Sequence, residues 1–266
     1  MTLADMTFAR WRALDPDAAR RFAADAAARA DGRLRSFETV EHLGGPFHRA
    51  LIERGGRAFA LVPGGRVRLG FDPDAWRPTP AQEASYAASF AEGYGYGAPD
   101  LTAHLIRELS PARTAETAAL LVAVRDEPAP EPPDGLAEAL AADGLRLPAA
   151  DEWEHACGAG ARTLFRWGDA CPLDEAPYGD GGIRGEPNAF GLRIAYDSYA
   201  AELSQDRGAV HGGDGGSAVC GGYGRLLGWL PLATAHRNRD MAEFAYGPDG
   251  EYAWDSFSVR PVLTLP

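Results

Sequence analysis

Beyond residue 158, glycine and proline interrupt the chain so often that few runs are long enough for a helix or a paired strand. Yet a large ring returns at intervals: Phe165, Trp167, Phe190, Tyr196, Tyr199, Tyr223, Trp229, Phe244, Trp254 and Phe257. A segment of that kind draws little order from repeating ladders and has to be pinned by aromatic side chains sharing an interior. The whole 266-residue chain repeats the theme, with 32 glycines and 20 prolines. Length alone leaves one large domain or two small ones open.

The first half carries clearer signals. Residues 16–31, "PDAARRFAADAAARAD", read as a helix with Asp15 as its cap, Pro16 in its first turn and Gly32 past its end. Phe8, Trp11 and Phe22 are the rings that would dock it. "FHRALIER", "RAFALVP" and "RVRLGFD" are short β-rich runs split by Gly-Gly and Pro-Gly-Gly, and they read as hairpin strands. "PAQEASYAASFAE" reads as a helix and "GYGYGAP" as a loop. "LTAHLIREL" reads as a strand and "ARTAETAALLVAV" as a helix, on its alanine and leucine content. The proline-rich "RDEPAPEPPDG" is an extended connector. "LAEALAADG" is a helix ended by Gly144. "PAADEWEHACGAG" is another, with Asp151 and Glu152 near its positive end.

Charge narrows the partners. The chain has 26 basic and 38 acidic residues, a net charge of −12. Its arginines are scattered among acids, whereas a face that neutralises phosphates needs clustered cations. Nucleic acid and anionic membrane are therefore not expected, and a basic protein partner is favoured, chiefly in its on-rate. No apolar run reaches the ~18 residues of a membrane span. "MTLADMTFARWRALD" lacks the basic start and apolar centre of a signal peptide. Cys157, Cys171 and Cys220 are an odd number with no CxxC pair, which fits a reducing compartment. The expectation is a cytoplasmic protein.

Several blocks, taken in order, resemble the formylglycine-generating enzyme family, or sulfatase-modifying-factor domain. "FALVPGGRVRLGFD" is similar to its opening strand pair. "LRLPAADEWEHACGAGARTLFRWGD" carries Arg146-Leu147-Pro148, Glu152-Trp153-Glu154, Ala156 and Trp167-Gly168-Asp169. "NAFGL" at 188–192, "GGS" at 215–217 and the closing "SFSVRPVL" complete the pattern. The likeness covers roughly residues 56–262. It implies an α+β fold, the family's loop-rich variant of the C-type lectin fold, over 56–266. Residues 1–55 form an N-terminal helical and hairpin extension packed on it. Without the name, the blocks still make physical sense. Arg146 can pair with Glu152 or Glu154, Trp153, Trp167 and Phe190 can fill a core, and Gly191, Gly215 and Gly216 can adopt angles closed to branched residues.

The resemblance also implies chemistry, and there the sequence departs from it. Active members use two cysteines to bind copper(I), an ion suited to soft thiolates. Cys220, three residues after Ser217, stands at the first position. Arg225 stands at the second. Met241 and His236 are the nearest substitutes, at other spacings. The family's calcium loop is reduced to the oxygen donors Asp197, Ser198, Glu202 and Asp206, against the six to eight or so that calcium takes. Asp197 and Glu202 are the calcium candidates. The family's iron route needs three histidines on a helical domain, and the N-terminal region has only His42 and His48. "GGSAV" is not a nucleophile elbow, and the glycine runs lack the lysine of a phosphate loop. His211, Asp214 and Ser217 are sequence neighbours and are not expected to form a triad.

Two functions follow. The first is a non-catalytic binding or immunity-type module with no cofactor. Its contact surface is "GGDGGSAVCGGYGRLLGW", with Asp214, Tyr223, Arg225, Trp229 and His236 as anchors. Its partner would be a basic protein, such as a toxin. The alternative is a copper- or metal-dependent oxidoreductase acting on a peptide or small molecule, with Cys220 as ligand and Ser217 beside it. There Arg225 would lower the thiol pKa by proximity. A third role for Cys220 is a small buried residue filling a glycine turn.

Overall fold

The computed structural model describes residues 3, 5–94, 98–129, 135–179, 181–247 and 257–266. A short helix, α1 (Phe8–Ala13), leads into α2 (Pro16–Arg29). The Asp15 carboxylate accepts the Ala18 N–H at 2.8 Å to start α2, and Pro16 opens its first turn. Ala19, Ala23, Ala26 and Ala27 form the buried face of α2, and their small side chains let it lie close on the sheet below. Trp11 is fully buried, edge-on to Phe22, and its indole N–H donates to His48 O at 2.8 Å.

Strands β1 (Arg33–His42), β2 (Gly45–Arg54) and β3 (Arg57–Val62) follow as successive antiparallel hairpins. Residues 55 and 56 are the turn of the second hairpin, so the chain on either side shares one sheet. Strand β4 (Gly65–Leu69) leaves that sheet. Helix α3 (Pro80–Ala91) forms where its sequence predicts, with Thr79 and Gln82 closing a reciprocal cap.

Over 101–123 the expected order is reversed. Residues Leu101–Glu108 form helix α4, and Arg113–Thr117 and Leu120–Ala123 form strands β5 and β6. Leu101, His104 and Leu105 recur at helical spacing, and Asp100 caps the Ala103 N–H at 2.8 Å. In the second run tertiary pairing overrides the helix preference of alanine and leucine. Strand β6 lies between β3 and the last strand of the chain with all four residues buried, and β5 pairs with β4.

The remaining elements are short: β7 (Glu127–Pro128), α5 (Leu136–Ala142), α6 (Ala150–Gly158), α7 (Gly182–Gly185), β8 (Glu202–Leu203), β9 (Val210–His211), α8 (Ser217–Cys220), α9 (Arg225–Trp229), α10 (Arg239–Tyr246), β10 (Ser258–Val259) and β11 (Val262–Thr264). A 3-10 turn, Leu230–Leu232, extends α9. Among the described residues the main sheet has the order β1-β2-β3-β6-β11. A second sheet runs β7-β10-β8-β9, and β4 and β5 stand alone. The chain is a mixed α and β protein. Parts of "GYGYGAP" and of the proline-rich connector, and Trp254, lie outside the described residues.

Side chains pin the irregular stretches. Arg146 forks onto Glu152 at 2.7 and 2.8 Å, and Glu152 also accepts the Ala149 N–H at the start of α6. Asn188 opens "NAFGL". Its amide donates to Ala156 O and Cys157 O at 2.7 and 3.0 Å, and its carbonyl accepts from Phe190 N and Leu192 N at 3.1 and 3.0 Å. One buried residue thus satisfies four backbone groups that no ladder reaches. Phe165 lies flat on Trp167 at 5.0 Å, and Trp229 meets both edge-on.

Candidate functional site

The glycine-rich segment is organised by Asp214. Its two carboxylate oxygens accept the N–H groups of Gly216 and Ala218, each at 2.9 Å, and Ser217 Oγ donates back to Asp214 O at 2.9 Å. Burial pushes the Asp214 carboxyl up, against the pull of these backbone donors. Asp214 is therefore a buried capping residue and not a surface anchor. Ser217 serves the same turn. His211 faces elsewhere, its ring stacked on Trp153 at 4.8 Å, so no relay links the three. Gly216 takes φ +81°, and a Cβ there would collide with the Tyr199 ring. Gly224 takes φ +99°, and a Cβ there would collide with Ser89. These two glycines set how closely the loop lies against its neighbours.

Helix α8 ends at Cys220, which is exposed and not a buried turn filler. Its Sγ lies 3.2 Å from the Tyr199 hydroxyl, and that contact raises the Tyr199 pKa. Tyr199 meets Tyr178 edge-on at 5.3 Å, and the two residues are 43% and 42% exposed. On the other side Tyr223 leans on Tyr94 at 4.8 Å, and the Tyr94 hydroxyl donates to Gly221 O at 3.1 Å. Arg225 does not reach for the thiol. Its guanidinium donates to Leu173 O and to an Asp174 carboxylate oxygen, both at 3.0 Å. Two tyrosine pairs therefore flank α8: Tyr178 and Tyr199 lie exposed beside the thiol, and Tyr94 and Tyr223 lie half-buried at Gly221 against the core, with an exposed arginine–aspartate pair nearby.

The other expected anchors turn inward. Trp229 is fully buried, its indole N–H donating to Glu175 O at 3.3 Å. It serves the core of the irregular half. His236 is also buried, and its Nδ1 has no partner among the described residues. Burial first, then the neighbouring His104, lowers its pKa to about 4. Of the five expected anchors, only Tyr223 and Arg225 share the face with Cys220.

The metal expectations meet similar geometry. Glu202 is fully buried, and Arg260 forks onto it at 2.6 and 2.7 Å. The Trp153 indole N–H adds a third bond at 2.8 Å. The oxygens of Asp197 accept the N–H groups of Gly179 and Tyr199. Both carboxylates are thus engaged by donors, and they do not fit a shared calcium site. A two-sulfur copper(I) centre needs a second soft donor beside Cys220, and the neighbour there is a hard phenol oxygen, so these residues do not fit that centre either. Cys157 and Cys171 are free thiols, each pushed up to about 12 by burial. Among the described residues, no three His, Cys, Asp or Glu side chains are placed to hold one ion.

Sequence reading missed Tyr94, Tyr178 and Tyr199 as site residues. A signal was present for two of them, since Tyr94, Tyr178 and Tyr223 each precede a glycine. Tyrosine and glycine are together enriched at recognition surfaces. No described helix is long and apolar enough to cross a membrane. The described residues define a mixed α and β protein with an exposed tyrosine pair beside an accessible thiol and a second, half-buried tyrosine pair at the adjoining turn. A scan against family models finds no match, and neither does a comparison with curated proteins.

Proposed function

We propose that the chain is a binding module on the formylglycine-generating-enzyme scaffold, the loop-rich variant of the C-type lectin fold. It docks a basic protein, of the kind an immunity protein neutralises, through the tyrosine face around Cys220. The observation that carries this reading is the assembly of Tyr94, Tyr178, Tyr199 and Tyr223 beside the exposed Arg225. Tyrosine and arginine dominate the energetics of protein interfaces, because each offers a broad contact area and a polar tip. The net charge of −12 favours a cationic partner. The scaffold part rests on the ordered sequence blocks, and on the pinning roles that Arg146, Glu152, Trp153 and Asn188 play.

Cys220 supplies the test. It is the exposed thiol of the three, so a maleimide photo-crosslinker attaches to it selectively. Irradiated in lysate of the native cell, the labelled protein is expected to yield one adduct with a basic protein. Excess unlabelled chain should suppress it, and Tyr199→Ala or Arg225→Ala should abolish it. An adduct that survives both substitutions, or none at all, would defeat the reading. Anaerobic copper(I) titration tests the oxidoreductase alternative. Tight one-to-one binding lost in Cys220→Ser would establish a metal site and replace the proposal.

A further inference from the structure

The molecule has a cavity of about 250 Å³ that shares no lining residue with the tyrosine face. One wall is the end of β4 and the chain after it, with Arg68, Gly70 and Phe71. The others are the start of β5 at Arg113, the end of α6, and the loop that follows at Arg162. At about 30 Å³ per water molecule, the space holds roughly eight waters, or one small metabolite. We propose that this cavity binds a small organic or inorganic oxyanion, a carboxylate or a phosphate, held by Arg68 and Arg162.

Charge accounting around the cavity leads there. Glu154 lines it and is 2% exposed, but its carboxylate is saturated. It accepts the Gly70 N–H, the Ser110 hydroxyl at 3.1 Å, and Arg113 and Arg237 at 2.6 and 3.2 Å. Asp151 takes the same two guanidinium groups at 2.6 Å each. Burial alone would raise the Asp151 pKa, but these two arginines hold it below its ordinary value. Two arginines and two acids thus cancel. Asp72 pairs with Arg162 through one contact at 3.2 Å, which leaves most of that guanidinium fork unused. Arg68 has no ion pair among the described residues. Along β4, Arg66 stands opposite Glu116, an opposite-charge cross-strand pair, whereas Arg68 stands opposite Thr114. The lining therefore carries three arginines against two acids, an excess of one positive charge, on a chain with net charge −12.

An oxyanion answers that excess. Arginine forks match the planar, two-oxygen geometry of carboxylate and phosphate, and two such forks stand at the rim of this cavity. Phe71 and Leu109, both buried and lining the space, offer an apolar wall to the rest of the ligand. The neutral floor of Glu154 and Arg113 leaves a carboxylate unopposed.

The experiment titrates the full chain with inorganic phosphate, with succinate and with uncharged succinamide, read by calorimetry and amide NMR shifts. The expected result is one-to-one saturation by phosphate or succinate in the millimolar range or tighter, with shifts at residues 68–72 and 158–164. Whichever oxyanion saturates assigns the class. Arg68→Ala and Arg162→Ala should each weaken it by about tenfold or more, and Arg66→Ala, on the same strand outside the cavity, should not. Arg68 is an exposed strand residue, so its removal spares the fold. The proposal is overturned if neither oxyanion saturates, if Arg68→Ala binds as tightly as the parent, or if succinamide matches succinate. None of these outcomes bears on the tyrosine face.

Discussion

The sheet body and the glycine-rich half of this molecule reach order by different means. In the first, β1, β2, β3, β6 and β11 satisfy one another through a continuous ladder, and α2 covers β1 and β2 with alanines. Its buried side chains are almost all apolar, and polar groups lie at the margins. In the second, strands of two residues alternate with loops, and buried polar side chains supply what the ladder does not. Asn188, Glu202, Asp214, Arg184 and Arg260 are all buried there, and each reaches backbone groups or another buried side chain. A ladder spreads its stabilisation over many equivalent bonds. A hub concentrates it in one side chain. Single polar substitutions should therefore be costly in the irregular half and mild in the sheet.

Arg260 gives the largest expected effect. Its guanidinium ties Glu202 of β8 to Ala123 O of β6 and to Arg193 O, with both charges fully buried. Arg260→Ala would leave the Glu202 charge unpaired, at a cost of about 3–5 kcal/mol by urea unfolding. Replacing Arg33, whose pair with Glu53 lies on the open edge of the sheet, should cost under about 1 kcal/mol. Similar losses for the two would erase the distinction between hub and ladder. Asn188→Ala comes next. It strands two backbone carbonyls and two N–H groups in the interior, for about 2–4 kcal/mol. Asn188→Asp should be no rescue, since a carboxylate cannot donate to Ala156 O and Cys157 O.

How much of this was legible in the sequence follows the same division. Asp15-Pro16, the Gly-Gly turn at 55–56 and the cap at Thr79 act through neighbours in the chain, so α2, the β2–β3 hairpin and α3 could be read directly. Residues 113–123 could not, because what makes them strands is the company of β3, β4 and β11, whose paired residues lie far before them and far after them in the chain. The site was legible in its loop and not in its face. The glycine run pointed to Cys220, Tyr223 and Arg225. Nothing local shows that Trp229 and His236 turn inward, or that Tyr94 and Tyr178 arrive from distant loops. Those directions depend on which rings the irregular core needs to fill.

Acid should act through buried and half-buried histidines on both sides, since burial lowers the pKa of His42 of β1 and His155 of α6 as well; the two largest shifts lie in the irregular half. His211 is held at about 3, by burial first and then by Arg237, and His236 at about 4. Both rings stay neutral in the fold and titrate near 6.5 once unfolded. Between pH 6.5 and 4 the unfolded chain thus takes up more protons, and stability falls as pH drops through that window. Near pH 5 the loss is roughly 2 kcal/mol per ring. Glu202 and Asp214, raised by burial, act in the opposite sense, since the folded state protonates them first. His211→Phe isolates the histidine part. It keeps a ring on Trp153 and should flatten the pH dependence between 7 and 5 by about the share of one ring. An unchanged slope would mean that the ring is already solvated and charged in the fold.

The smallest effect is the most discriminating, because it concerns a device both halves share. Asp15 caps α2 on the sheet, and Thr79 caps α3, which packs on α9 in the irregular half. A cap acts on its own first turn, so Asp15→Ala and Thr79→Ala should each cost about 1 kcal/mol in global unfolding. Their local consequences should differ. Helix α2 is held along its whole alanine face by β1 and β2, and its amides should keep their hydrogen-exchange protection in Asp15→Ala. Helix α3 buries only Gln82, Tyr86 and Ser89, so Thr79→Ala should fray its first turn and release the Gln82 side chain from Asp169 O. Equal loss of protection in both helices would show that the sheet stabilises what rests on it no better than the loops do, and the division into ladder and hubs would then describe geometry without describing stability.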